Sequence, residues 1–296
     1  SDGLATVFPA MLNALIALRA LGYSETNPIY EKAAKDFAGL FVDDADDFRI
    51  QPCLSPVWDT AINIIALGES GLPPEHAALQ KAADWLAKRE VRFRGDWAVN
   101  NPHSEASGWA FEYNNVFYPD TDDTAMVLMA LRLVRPNDAA GRDSLFRRAL
   151  GWQMSFQCRD GGWAAFDKEV TQHWLEDMPF ADHNAILDPT CSDLTARTIE
   201  LLGYIGFNVD QRCVRRAVHY LIDTQEDDGS WYGRWGGNYI YGTGQVLRGL
   251  LAIGKERRKD GVWTGRGGRP VAGCAWCGEV SGLGRRGQSN PAVKRG

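Results

Sequence analysis

The chain has 296 residues, of which 45% are hydrophobic and 24% charged, a composition typical of a globular protein with one or two cores. Its formal net charge of −6 argues against nucleic acid as a partner. The longest apolar runs are about seven residues, whereas a membrane-spanning helix needs roughly 20, so we expect no transmembrane helix. The six cysteines are scattered and indicate a reducing compartment. The first residue is Ser1 rather than Met, and we expect the chain to come from a longer protein.

Two sets of helices alternate along the chain. The first set is apolar, and its members are predicted to start at Pro9, Pro56, Pro119, Pro189 and near Tyr241. Proline and aspartate in the first turn are signals of a helix N-terminus. The second set carries the charged residues Lys81, Lys88, Arg142 and Arg147. We therefore expect inner apolar helices, outer charged helices and little β-sheet.

The helical hairpins repeat. One block leads from an amphipathic helix through Gln157 and an Asp-Gly turn to Trp163, and a second leads through Gln225 to Trp231, 68 residues later (231 − 163). A weaker copy ends at Trp97. Glutamine and tryptophan are expected to lock each turn by a hydrogen bond and stacking. Repeated helical hairpins predict an all-α helical array, and inner helices starting at one rim favour an α/α toroid.

An acidic cluster, Asp120-Thr121-Asp122-Asp123, opens the apolar helix that follows Pro119. Crowded carboxylates raise the pKa of at least one member, and a protonated carboxylic acid facing an apolar cavity could protonate an alkene. The competing interpretation is an acidic first turn that caps the helix and offsets its dipole. Met126 occupies the last position of an Asp-Asp-x-x-Asp box, so the spacing disfavours metal-assisted ionisation of a diphosphate, and we predict no metal.

Four blocks together resemble the squalene–hopene cyclase branch of the triterpene cyclases, and the resemblance extends from residue 1 to about 254. The blocks are residues 55–60, 95–99, 118–125 and 229–236. The resemblance implies two α/α barrels, here incomplete, and no cofactor. It also implies that Asp122 protonates a terminal double bond of squalene, while Asp120 and Asp123 hold and tune that acid.

The resemblance further implies aromatic side chains that stabilise carbocations through their ring faces. The matching positions are Trp58, Phe111 and Trp235, and Tyr241 matches a tyrosine of the network around the acid. Core packing is the alternative for each aromatic residue. Trp163 and Trp231 are assigned to turns rather than to catalysis.

Two positions depart from one version of the family. Arg197 stands where that version has a histidine, four residues after Asp193. The arginine either forms a plain helix ion pair with Asp193 or acts as a cation that makes Asp122 a stronger acid. Phe166 stands where that version has a tyrosine, so an aromatic face is kept and a hydroxyl is lost.

We predict three regions. Residues 1–47 are the end of a neighbouring barrel and a linker, residues 48–254 are the catalytic barrel portion, and the Gly/Arg-rich residues 255–296 are a disordered or frameshifted tail. By resemblance, the partners are squalene or a similar polyprenyl substrate, the cytoplasmic face of the bacterial inner membrane as a monotopic attachment surface, and a second copy in a homodimer. The chain alone is expected to be poorly stable or inactive.

Other functions stay open from the sequence. A diterpene or other polyprenyl cyclase would share the acidic motif, and a non-catalytic helical-repeat scaffold would share the repeats. Two further patterns are interpreted as solvated segments: the acidic run of residues 43–47, and a loop carrying His173, His183, Asp188 and Cys191 without regular metal-ligand spacing.

Overall fold

The computed structural model describes residues 7–44, 47–113, 116–170, 172–177 and 187–254. The chain divides into two compact units: unit 1 comprises residues 1–158 and 163–190, and unit 2 comprises residues 159–162 and 191–296. Both are built of helices, which confirms the all-α class, and their helical hairpins are those expected of an incomplete α/α toroid. The predicted tail of residues 255–296 and His183 lie outside the described residues.

The described residues of unit 1 form three helical hairpins and one small sheet. Its elements are α1 (Phe8–Ala20), α2 (Pro28–Ala38), β1 (Phe41–Asp44), β2 (Asp47–Ile50), α3 (Pro56–Glu69), α4 (Ala77–Ala87), α5 (Thr121–Leu133) and α6 (Ala139–Ser155), with short 3₁₀ turns at Asp96–Ala98 and His173–Asp177. Helices α1 and α2, α3 and α4, and α5 and α6 pack as pairs, and α3 also packs against α5.

The acidic run of residues 43–47 is only partly the solvated linker that the sequence predicts. Strands β1 and β2 form an antiparallel hairpin in which Asp44 lies opposite Asp47. Asp43, Asp44 and Asp47 are exposed, so their carboxylates are solvated as expected. The two strands pair their backbones, which composition alone did not indicate.

Up to residue 254, where the described part ends, the helices of unit 2 are α7 (Ser192–Tyr204), α8 (Arg212–Asp223) and α9 (Tyr239–Gly254). Helix α7 packs against both of the others. The contact between α7 and α9 is close because glycines lie in it. A Cβ atom added to Gly203 would lie 2.6 Å from the carbonyl carbon of Ala252. A Cβ atom added to Gly249 would clash with the carbonyl oxygen of Ala196.

Burial confirms the inner and outer helix sets for the central elements. Ten of the 13 residues of α5 and 11 of the 13 residues of α7 are buried. Helix α6 buries only four of its 17 residues, and α8 buries five of 12, so each rests on one face. Helix α3 belongs to the apolar set by sequence but leaves Ile62 and Leu67 exposed. None of the described helices is both long and apolar enough to cross a bilayer.

The prolines mark two helix starts less closely than predicted. Helix α3 starts at Pro56, and α1 starts at Phe8, next to Pro9. Helices α5 and α7 start at Thr121 and Ser192, two and three residues after Pro119 and Pro189 (121 − 119 and 192 − 189). The correction has a physical cause in α5, because Asp120 stays extended as the N-cap and its carboxylate accepts the backbone N–H of Asp123 at 2.7 Å.

The two clear tryptophan turns have the same geometry. The indole N–H of Trp163 donates to the Gln153 carbonyl at 2.8 Å, and that of Trp231 donates to the Leu221 carbonyl at 2.6 Å, so donor and acceptor both shift by 68 residues (221 − 153). The Gln225 amide closes its own turn by donating to the Gly229 carbonyl at 2.9 Å. The tryptophan is therefore tied to a helix carbonyl, and the predicted turn lock by glutamine is present at Gln225.

Trp97, in the weaker copy, differs from these two. It lies in a 3₁₀ turn with its ring 5.7 Å from the Trp152 ring in an edge-on arrangement. Its buried indole N–H has no acceptor among the described residues.

Candidate active site

The acidic motif lies at the N-terminus of α5, the most buried of the described helices of unit 1. Asp120 is 3% exposed, Asp123 is equally buried, and Asp122 between them is half-buried. Asp122 and Asp123 occupy the first turn, where the helix dipole favours negative charge. The capping interpretation of the motif is thus correct for Asp120.

One carboxyl of the cluster has the strongly perturbed pKa that the sequence predicts. The pKa of Asp120 is raised from 3.8 to about 7, chiefly because burial removes the carboxylate from water. The charge of Asp122 raises it further, whereas hydrogen bonds from Asp123 lower it. Burial therefore contributes more than the crowding on which the prediction was based. Below about pH 7, Asp120 therefore retains a proton that an ordinary aspartate would have lost.

The first turn of α5 is held on one side by the segment that contains Trp109. The backbone N–H of Asp120 donates to the Trp109 carbonyl at 3.0 Å. The Thr124 hydroxyl donates to the Asp120 carbonyl at 2.6 Å and accepts the Trp109 backbone N–H at 3.1 Å. The buried Trp109 ring is itself fixed by its indole N–H, which donates to the Leu86 carbonyl at 2.7 Å. Gly108, with φ of +125°, makes the sharp approach to Thr124 possible.

A second segment holds the same turn on the other side. Thr121 donates through its backbone N–H to the Ala165 carbonyl at 2.9 Å and through its hydroxyl to the Ala164 carbonyl at 2.7 Å. The Ala165 backbone N–H in turn donates to the Asp188 carboxylate at 2.6 Å. These bonds fix the start of α5 without using any of the motif carboxylates.

Two predicted aromatic residues belong to these supporting segments. Phe111 lies two residues after Trp109, and Phe166 directly follows Ala165, so the backbone bonds to α5 bring both segments to the motif. Both side chains are half-buried. Trp58, also half-buried, lies in the first turn of α3, the helix that packs against α5. Unit 1 thus brings the acidic motif and segments with three predicted aromatics into one neighbourhood.

The remaining predicted residues lie in unit 2. Asp193 is fully buried in the first turn of α7, and its carboxylate accepts the backbone N–H of Trp235 at 2.9 Å. Arg197, 6% exposed, donates from Nη2 to the Tyr241 hydroxyl at 3.0 Å. Asp193 thus bonds to the Trp235 backbone and Arg197 to the Tyr241 side chain, and the plain helix ion pair between them stays a prediction. Trp235 and Tyr241 are half-buried.

The prediction of a solvated loop was wrong for two of its residues, Asp188 and Cys191. Asp188 was interpreted as solvated, but it is 3% exposed and accepts the Ala165 backbone N–H described above. Cys191 is also buried, next to the start of α7. A carboxylate directly before Pro189 carries no local sign of burial, since its partner lies 23 residues earlier in the chain. Among the described residues, no group of three or more His, Cys, Asp or Glu side chains is arranged to hold a metal ion.

Comparison with known proteins identifies the family. Residues 54–268 match the family described as the squalene-hopene cyclase C-terminal domain. The squalene–hopene cyclase of Bradyrhizobium diazoefficiens is 42% identical over 256 residues, which cover 86% of this chain and 39% of that protein. The squalene–hopene cyclase of Alicyclobacillus acidocaldarius is 40% identical and covers 83% of this chain and 39% of that protein.

A relative with a different name is almost as similar. The dammaradiene synthase of Dryopteris crassirhizoma is 39% identical, with 88% of this chain and 39% of that protein covered. The chain thus spans about two fifths of the length of the curated relatives that it matches. Since the family match covers most of the chain, the chain belongs to the squalene–hopene cyclase family.

Proposed function

We propose that the chain supplies the acid-bearing part of a cyclase that starts ring formation by protonating an alkene. The single observation that carries this proposal is the cluster of residues 120–123 at the buried end of α5, in which the pKa of Asp120 is raised to about 7. An acid that keeps its proton near neutrality beside an apolar helix suits protonation of a hydrocarbon. Family membership supports the same chemistry.

In the proposed reaction, the Asp122 carboxyl transfers its proton to the alkene carbon that bears one hydrogen, at one end of squalene. Positive charge is left on the neighbouring carbon, which carries two methyl groups. The remaining double bonds attack in sequence and close rings, and the last cation loses a proton to give hopene or captures water to give hopanol. The captured water loses a proton as it becomes the hydroxyl, so one proton enters and one leaves on either path. No oxidant or reductant is required, and solvent reprotonates Asp122.

The other predicted site residues hold the acid in place or stabilise positive charge, and none of them forms or breaks a covalent bond in the proposed reaction. Asp120 and Asp123 hold the motif in place, and their shared hydrogen bonds tune the acid. The rings of Trp58, Phe111, Phe166 and Trp235 are proposed to face passing carbocations. In unit 2, Asp193 fixes the backbone next to Trp235, and Arg197 fixes the Tyr241 hydroxyl.

The substrate and its location are proposed with the same reaction. Squalene dissolves in lipid, so we propose peripheral attachment of the protein to the cytoplasmic face of the inner membrane, and a homodimer. Flotation of the protein with phospholipid vesicles tests the attachment, and its recovery with the lipid-free fraction would argue against it.

A second product class has a specific observation in its favour. The similarity to a dammaradiene synthase is nearly equal to that to the squalene–hopene cyclases, so another polycyclic skeleton from the same type of reaction is the second candidate. The mass spectrum and retention time of the product distinguish the two.

The test uses a completed protein, in which residues 7–254 of this chain replace the matching stretch of the Bradyrhizobium diazoefficiens cyclase. Squalene is incubated with the completed protein and with its Asp122→Asn variant, and products are analysed by gas chromatography–mass spectrometry. We expect a pentacyclic product that disappears with Asp122→Asn. Absence of cyclic product from squalene and from shorter polyprenes would favour the non-catalytic scaffold instead.

A further inference from the structure

Glu200 is a buried charged residue to which the proposed reaction assigns no role. Its side chain is 1% exposed, in the middle of α7. Oε1 accepts from Nε and Nη2 of Arg248, at 3.0 and 2.7 Å, and from the Tyr204 hydroxyl at 2.9 Å. Oε2 accepts from the Gln245 amide at 2.8 Å. A buried carboxylate with this many donors is costly to disturb, because removing a partner leaves charge unsatisfied.

Glu200 and its partners Gln245 and Arg248 lie further along α7 and α9 than the hydrogen-bonded side chains of Arg197 and Tyr241. On α9, Tyr241, Gln245 and Arg248 are spaced by four and three residues and share one face. On α7, Glu200 lies three residues after Arg197, also on one face. The two sets of bonds are therefore consecutive links between the same two helices, about one turn or 5.4 Å apart.

Glycines let the backbones of α7 and α9 come close together. Gly203 lies against Ala252, and Gly249 lies against Ala196 and the Ile199 side chain. A shift of one residue along the axis moves a helix by about 1.5 Å, which is enough to break a hydrogen bond. The hydrogen bonds of Glu200 to Gln245 and Arg248 resist such a shift close to Tyr241.

We propose that Glu200 is a positioning residue, which fixes the register of α9 on α7 and so holds the Tyr241 hydroxyl against Arg197. The inference about geometry stands on the bonds above. Its consequence for catalysis rests on the proposed function, in which Arg197 and Tyr241 take part.

The geometric test is carbon-13 NMR of the chain with its nine tyrosines labelled at Cζ, the carbon that bears the hydroxyl. The Tyr241 signal is assigned by its loss in Tyr241→Phe, and the Arg197→Met variant gives its position without the arginine. We expect Glu200→Gln to move the Tyr241 signal towards the Arg197→Met position. An unmoved signal in Glu200→Gln would overturn the proposal.

Glu90 offers a matched control in unit 1. Its side chain is 7% exposed and accepts from Nε and Nη2 of Arg148, at 3.2 and 2.8 Å, and from the Ser107 hydroxyl. Glu90→Gln therefore removes a comparable buried charge, and it should leave the Tyr241 signal in place. An equal displacement by Glu90→Gln would show general loosening and also overturn the proposal.

A milder variant covers the case in which Glu200→Gln fails to fold. The Arg248 side chain is 58% exposed, so Arg248→Met removes two of the bonds to Glu200 with little loss of core. We expect the same direction of displacement with Arg248→Met. A folded Arg248→Met variant with an unchanged Tyr241 signal would overturn the proposal.

The catalytic consequence is tested by a double-mutant cycle in the completed protein. We expect Glu200→Gln to lower kcat roughly tenfold with KM unchanged, and to have no further effect on kcat when Tyr241 is already phenylalanine. Losses that simply multiply would show that Glu200 acts independently of Tyr241. If the completed protein forms no cyclic product at all, the proposed function fails, while the NMR result still decides the geometric inference.

Discussion

The three aspartates of residues 120–123 have the same side chain but lie in different surroundings. The Asp120 carboxylate caps α5 by accepting the Asp123 backbone N–H, and its own burial raises its pKa to about 7. Asp122 lies in the first turn of the same helix and is less buried than Asp120. The buried Asp120 carboxyl therefore keeps a proton in the motif up to about pH 7.

The raised pKa of Asp120 predicts how stability depends on pH. Between about 3.8 and 7 the folded protein holds a proton on Asp120 that the unfolded chain has released, so this residue makes the free energy of unfolding fall as pH rises through that window. Asparagine caps a helix as well as aspartate does but does not titrate. We expect urea unfolding of Asp120→Asn at a series of pH values to lack this part of the decline.

Asp138 provides the control for that measurement. It caps α6 in the same way, with its carboxylate accepting the Gly141 backbone N–H at 3.0 Å, but it is exposed. Asp138→Asn leaves Asp120 in place, so the decline between about pH 3.8 and 7 should persist in this variant. An identical pH dependence for Asp120→Asn and the unaltered chain would contradict the assigned shift.

At the scale of single elements, the start of α5 is determined by contacts with segments that are distant in sequence. The Thr124 hydroxyl donates to the Asp120 carbonyl and accepts the Trp109 backbone N–H, so it joins the start of α5 to the segment that contains Trp109. Thr60 holds the equivalent place in α3 and donates to the Pro56 carbonyl at 2.6 Å. The two threonines share a sequence pattern, but only Thr124 also satisfies a buried N–H of another segment.

This difference predicts unequal costs for the same substitution. Thr124→Val leaves the Trp109 N–H buried without its acceptor and should lower the free energy of unfolding by about 1–3 kcal/mol. Thr60→Val removes only a bond within its own helix and should cost clearly less. Chemical denaturation of both variants measures the difference, and equal costs would contradict the role assigned to Thr124.

The tryptophan turns allow a similar comparison. Trp163→Phe and Trp231→Phe each lose an indole hydrogen bond to a helix carbonyl, whereas Trp97→Phe loses the same volume and no such bond to a described residue. The first two should cost about 1 kcal/mol more than Trp97→Phe. Thermal unfolding followed by circular dichroism measures these costs. A larger loss of stability in Trp97→Phe would contradict the role assigned to the indole hydrogen bonds of Trp163 and Trp231.

Local patterns in the sequence were sufficient for some of this and insufficient for the rest. The alternation of apolar and charged helices and the 68-residue repeat depend on side-chain periodicity, which is written along the chain. The burial of Asp188 depends on its bond to Ala165, and the perturbed pKa of Asp120 depends mainly on how deeply α5 is buried. Such long-range contacts have no local signature, so the sequence indicated a perturbed acid without showing which carboxyl carries the shift.

At the scale of the whole molecule, the chain spans about two fifths of the length of the relatives that it matches. Several apolar side chains of α1 and α3 are exposed, namely Leu12, Ile16, Ile62 and Leu67. Exposed apolar side chains in a protein of this type favour association with further structure.

We therefore predict that the 296-residue chain alone is poorly stable and does not turn over squalene. It should bind the dye ANS more strongly than the completed protein, because the dye reports exposed apolar surface. Fluorescence titration measures the difference. Turnover of squalene by the purified chain alone would contradict this prediction.

The central claim is that a carboxyl of this chain starts cyclisation by giving a proton to carbon, and isotope incorporation tests it most directly. The completed protein is incubated with squalene in D₂O, and the product is analysed by mass spectrometry and NMR. We expect a cyclic product with one deuterium in a ring methylene next to the carbon that carries two methyl groups, and no such product from Asp122→Asn. A cyclic product without deuterium, or one that Asp122→Asn still forms, would contradict it.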